Sequence, residues 1–243
     1  MIKTILLSTI LLSSMSAEAQ VAELTESRRS LRAAVKYEGA LSKTLKKKGV
    51  SLGTPVFLRI TKTQSLTDKQ GKLEAFIEDD NGTFIAFKTW DICTYSGKLG
   101  PKLKQGDRQA PEGFYFVKPN QMNPYSSYHL SFNLGYPNAY DRAHNRTGDF
   151  LMVHGDCVSI GCYAMTDEGI EEIYTLVGAA LKGGQPFVRV HAFPFPMTNE
   201  NLLAHKNNPN YAFWKNLKTG WDWFETNKQP PNVNVARKRY NFN

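Results

Sequence analysis

The stretch His154-Gly155-Asp156-Cys157-Val158-Ser159-Ile160-Gly161-Cys162-Tyr163-Ala164-Met165 decides how this chain reads. Before it, Phe150 to His154 has the pattern of a buried strand. After it, Thr166 reads as an N-cap, with Asp167 and Glu168 in the first turn and Ile170, Ile173, Tyr174 and Val177 on one face of a helix that Gly183-Gly184 stops. A cysteine and a histidine at such a junction have the chemistry of acyl transfer. A thiol attacks as thiolate, and with an ordinary pKa of about 8.5 it needs a base beside it. His154 titrates near neutrality, so it can take the proton of Cys162 and return it to a leaving amine. Backbone N–H groups near a helix start can receive the charge that develops on a substrate carbonyl. Gly155 and Gly161 let the backbone turn and come close to a substrate. Ser159 either positions the histidine or bonds within its own turn.

Working outward, β-rich runs at Val56 to Ile60, Lys72 to Ile77, Phe84 to Ile92, Gly113 to Val117, His129 to Leu134 and Phe187 to Val190 predict strands, and Asn81-Gly82 predicts a hairpin. Glu23 to Lys48 reads as an amphipathic helix with Leu31, Val35, Leu41 and Leu45 on its apolar face. Thr198 and Tyr211 to Leu217 suggest two more helices in an aromatic-rich tail whose rings are expected to pack onto the core.

Lys3, the apolar run Ile5 to Leu12 and Ala17-Glu18-Ala19 have the order of a cleavable signal peptide over 1–19, with cleavage near Ala19/Gln20. That run falls short of the about 20 apolar residues that span a bilayer. We therefore expect an exported, periplasmic protein with no stable membrane anchor. Its net charge of +8 favours anionic wall polymers or headgroups over nucleic acid in that compartment. Three cysteines in an oxidising environment leave at least one unpaired, and Cys93 and Cys157 either join as a disulfide or stay apart.

Ser159-x-Gly161-Cys162 behind the Val153-His154-Gly155 step resembles the signature of YkuD-type L,D-transpeptidases. Gly106 followed by Ala110-Pro111-Glu112-Gly113-Phe114-Tyr115 is similar to that family's Gly then Thr-Pro-x-Gly-x-Phe strand. Tyr95-Ser96-Gly97, Gly135 to Arg142, His154 to Met165 and the tail with Phe213-Trp214 and Trp221 to Phe224 resemble its YafK branch.

The resemblance implies an α+β, mainly β fold: a mixed β-sandwich catalytic domain over 52–197, with helical additions at 20–51 and 198–243. It implies Cys162, His154 and Gly155 as the catalytic set and Arg142, Ser159, Gly161, Tyr163 and Tyr140 as the substrate-binding set, with no cofactor and no metal. Two departures stand out: the family sets its histidine much farther before the cysteine, and it carries an arginine where this chain has Ala164. Arg142 is expected to take over that cation's role, or else to form an ion pair with Asp141 or Asp149.

The resemblance further implies peptidoglycan stem peptides and peptidoglycan-linked lipoprotein as partners. Branch members are implied to be hydrolases that cut between diaminopimelate and the lipoprotein's lysine, through a thioester. Other members of the family transfer the same acyl group to an amine or trim a tetrapeptide. Two unrelated readings remain: a metal site built on His154, Asp156, Cys157 and Cys162, and a non-enzymatic wall-binding protein.

Overall fold

The computed structural model describes residues 23–243; the expected signal peptide lies outside the described residues. In chain order the elements are helix α1 (Arg28–Lys46), strands β1 (Val56–Thr61), β2 (Lys72–Glu78), β3 (Phe84–Asp91), β4 (Thr94–Tyr95), β5 (Gly113–Val117), β6 (Met122–Asn123) and β7 (Ser131–Asn133), helix α2 (Ala139–Ala143), strands β8 (Met152–His154) and β9 (Tyr163–Ala164), helix α3 (Asp167–Lys182), strand β10 (Val188–Phe193), helices α4 (Asn199–Ala204) and α5 (Tyr211–Asn227), and strands β11 (Val233–Ala236) and β12 (Arg239–Phe242).

Two mixed five-stranded sheets follow. One runs β3-β2-β1-β10-β5, with β1 parallel to β10; the other runs β4-β9-β8-β7-β6, with β8 parallel to β9. Leu58, Ile60 and Val190 from the first and Phe132, Val153 and Tyr163 from the second belong to one buried cluster with Ile170, Ile173 and Val177 of α3. The fold is thus mainly β, with helices added. Among the described residues no helix is long and apolar enough to cross a membrane.

The expected strands form, and Thr166 caps α3 by accepting the Gly169 N–H. The N-terminal helix is shorter than its sequence span, and only half of its predicted stripe is buried. Leu41 and Leu45 are in the core, but Leu31 and Val35 are 47% and 86% exposed. Packing on α3 turns Ser30 and Ala33 inward instead.

The C-terminal aromatics pack. Trp214, Trp221 and Tyr240 form a second cluster with Phe114, Phe193 and Phe195, where full burial of a large apolar side chain contributes about 1.5–3 kcal/mol. Two polar ties fix this appendage. The guanidinium of Arg59 on β1 lies 3.9 Å from the Trp221 ring and bonds Glu74 and, on α5, Glu225. Glu112 is wholly buried: one oxygen takes the Lys62 ammonium at 2.9 Å, and the other takes the Trp214 indole N–H at 2.8 Å.

Candidate active site

The parallel pairing of β8 with β9 builds the site. Val153 lies beside Tyr163 and His154 beside Ala164, and side chains alternate along a strand. Val153 and Tyr163 therefore enter the core, both 0% exposed, while Met152, His154 and Cys162 share the opposite face. That face opens on a cleft of about 350 Å³, walled by Asn123, Ser126, Tyr128 and Ser131 on one side and by Phe150, Val158 and Ile160 on the other. Cys162 is not at the helix start that the sequence suggested: β9 intervenes between it and α3.

Within the cleft, the Cys162 sulfur accepts the Met152 N–H at 3.4 Å and its S–H points to the Phe150 carbonyl at 3.7 Å. Burial pushes the thiol up; the Met152 N–H and the charge of Lys102 pull the other way without prevailing. The His154 ring bonds through Nδ1 to the Gly155 carbonyl at 2.6 Å. A carbonyl only accepts, so Nδ1 carries the proton and Nε2 keeps its lone pair. Burial holds this imidazole below its ordinary pKa, although the Gly155 carbonyl and Asp156 raise it. Thiol and imidazole are thus both neutral near pH 7.

Only glycine fits at 155. A Cβ there would lie 2.5 Å from an Asp167 carboxylate oxygen and 2.9 Å from the His129 Cβ, and the Gly155 N–H is bonded to the Tyr128 and Leu130 carbonyls. Gly161 has φ +152°, where a side chain strains the backbone. Ser159 braces the loop: its hydroxyl donates to the Cys162 carbonyl at 2.8 Å and accepts from Ser96 and the Gly161 N–H. Cys93 and Cys157 are joined as a disulfide, which ties this loop to the β3–β4 connection and leaves Cys162 as the free cysteine. The metal reading loses Cys157 as a ligand.

Three expected substrate-binding residues lie elsewhere. Tyr163 points into the core and donates its hydroxyl to the Pro111 carbonyl. Tyr140 is buried in the aromatic cluster, stacked on Tyr240 at 4.3 Å. Arg142 is exposed on α2 and donates to the Pro137 carbonyl. Nor does Arg142 pair with an aspartate: the left-handed Asn145 (φ +56°) turns the chain back so that Arg146 takes buried Asp141 at 2.8 Å.

Sequence reasoning missed Tyr128, whose ring lies 4.8 Å from that of His154. Its only signal is the turn-forming run Asn123-Pro124-Tyr125-Ser126-Ser127-Tyr128 between two strands.

A family model described as the L,D-transpeptidase catalytic domain, YkuD, matches residues 66–190, which hold the whole of this cysteine–histidine loop. The chain belongs to the YkuD family. It is 47% identical over 189 residues, 78% of this chain and 74% of the relative, to the protein named "Putative L,D-transpeptidase YafK" in Escherichia coli strain K12, and equally to that of Escherichia coli O157:H7, which sets this YkuD chain in the YafK branch. Among solved structures, the cell-shape-determining protein Pgp2 (K307A) of Campylobacter jejuni aligns with a TM-score of 0.43 at 20% identity, over 81% of this YkuD chain and 66% of that one.

Proposed function

We propose that this protein is a periplasmic cysteine hydrolase that cuts the bond between diaminopimelate of a peptidoglycan stem peptide and the lysine of covalently attached outer-membrane lipoprotein. The observation that carries the reading is the shared face of β8 and β9, which sets the Cys162 thiol and a histidine with a free Nε2 in one cleft. The Cys162 sulfur attacks the carbonyl at the L-centre of diaminopimelate while Nε2 of His154 takes the thiol proton. The tetrahedral adduct collapses, His154 protonates the leaving lysine amine, and a thioester remains. Water then attacks the thioester as His154 accepts its proton, and that proton returns to the departing sulfur, restoring the thiol.

Gly155 supplies the carbonyl that holds the histidine tautomer, and Ser159 fixes the turn that presents the cysteine. Support for a polypeptide leaving group comes from the rim: Phe150, Val158 and Ile160 are 71%, 51% and 76% exposed around the cleft, an apolar edge that fits protein side chains better than a bare stem peptide. The disulfide beside the site and the expected signal peptide support an oxidising, exported location.

Mass spectrometry of lipoprotein-bearing muropeptides incubated with the pure protein tests the reading. Free tripeptide stem and released lipoprotein peptide, both lost in Cys162→Ala, are the expected products. A new 3–3 dimer replaces this reading with transpeptidation, loss of terminal D-Ala alone with carboxypeptidase action, and equal product from Cys162→Ala removes the cysteine mechanism.

A further inference from the structure

We propose that α1 supplies the site for the substrate's free carboxylates, with Arg28 and Arg32 as its cations; this rests on the stem-peptide reading above. A stem peptide carries free carboxylates on its D-Glu and diaminopimelate residues, and a carboxylate held at a partly desolvated surface calls for a charged partner. No lysine or arginine lines the cleft around Cys162. Lys102 is engaged with Asp107, Arg146 with Asp141, and Arg142 with the Pro137 carbonyl.

The loop that walls the cleft also walls a second hollow. Asn123 and Ser126 to Tyr128 line the catalytic cleft, whereas Pro124 and Tyr125 between them line a groove of about 690 Å³ whose other side is Arg28, Arg29 and Arg32. The groove is held in shape. Ser27 donates to the Pro124 carbonyl, Tyr125 donates to the Glu26 carbonyl, and Arg29 donates to the Ser126 and His129 carbonyls.

Arg29 is therefore spent on the loop, while Arg28 and Arg32 are exposed and have no acidic partner among the described residues. The two stand one helical turn apart, where like charges repel, and Arg28 is the first residue of α1, at the end whose dipole disfavours cations. Among the described residues no acidic side chain pairs with either arginine, and a bound carboxylate relieves both costs. A stem peptide lying across Ser126 with its scissile carbonyl at Cys162 thus presents its carboxylates to this pair.

Calorimetry on the Cys162→Ala protein tests the assignment without turnover. The probes are L-Ala-γ-D-Glu-meso-diaminopimelate-D-Ala and the same peptide with its D-Glu and diaminopimelate carboxylates amidated. The acid peptide is expected to bind about tenfold more tightly, with an advantage that shrinks as salt rises. In Arg28→Gln/Arg32→Gln, which keeps good helix formers on α1, that advantage disappears and the amidated peptide binds as before. Arg28→Lys/Arg32→Lys restores part of it, and in the active protein the loss falls mainly on KM. Absence of acid-peptide binding, an unchanged advantage in the glutamine variant, or equal losses for both peptides overturns the assignment. Intact binding without product from the active protein instead counts against the proposed reaction alone.

Discussion

The ring of Tyr128 lies over that of His154, with centroids 4.8 Å apart and planes 32° from parallel, and the Tyr128 carbonyl accepts the N–H of Gly155, whose own carbonyl holds His154 Nδ1. One residue thus shields the imidazole and anchors the backbone that orients it. Burial keeps the His154 pKa below 6.5, and only the neutral ring accepts the thiol proton, so kcat/KM should fall on the acid side with its midpoint below that value. Tyr128→Ala admits water and should move the midpoint up toward 6.5, so that the variant loses proportionally more activity at about pH 6 than at about pH 8. Tyr128→Phe should keep the parent profile. An acid limb that does not move in Tyr128→Ala rules the shielding out.

The neutral thiol makes a second expectation. Alkylation of Cys162 by iodoacetamide follows the thiolate fraction, and burial raises this thiol above 9.0. The rate should climb only in the alkaline range, without the plateau near neutrality that a standing thiolate–imidazolium pair gives. His154→Ala should cut turnover by about 10²–10⁴-fold yet leave alkylation at high pH nearly intact.

The Cys93–Cys157 bond holds the loop between His154 and Cys162. Cys93→Ser frees the Cys157 thiol five positions from Cys162, and the expected result is an inactive protein with a Cys157–Cys162 bridge, visible as a mass loss of two hydrogens and reversed by reductant. Cys93→Ser/Cys157→Ser should lose activity in proportion to loop release, with reductant without effect. Full activity in Cys93→Ser under oxidising conditions contradicts this.

Lys62 and Glu112 are both 0% exposed, and desolvation lowers the Lys62 pKa despite Glu112. Lys62→Met leaves a carboxyl buried without its cation and should cost about 3–5 kcal/mol in urea unfolding. A change below about 1 kcal/mol shows that the pair is dispensable.

How much of this the sequence disclosed depends on the range of the deciding contact. That His154 and Cys162 line one cleft was legible because strand alternation and one short loop settle it locally, and α3 was legible because Thr166 and the glycines punctuate it. The same alternation rule places Tyr163 opposite Cys162, and so against the substrate-binding role first given to it. Tyr128 was hidden because its approach to His154 needs the β7–β8 pairing, which brings Ser131 beside His154. Arg142 was the arginine expected to reach Asp141; Arg146, which the sequence reading did not single out, takes that place after the left-handed residue Asn145. Leu31 and Val35 mark the same limit: periodicity announced an amphipathic helix, but the partner chose its face.

The hairpin at the very end of the chain is no tail. Its Tyr240 hydroxyl accepts the Asn138 amide, its backbone exchanges hydrogen bonds with Asn216, and its ring packs on Phe114 and Tyr140. The aromatic cluster therefore stays open until Tyr240 meets Phe114 and Tyr140, a contact of long sequence separation whose loop-closure entropy makes it late in folding.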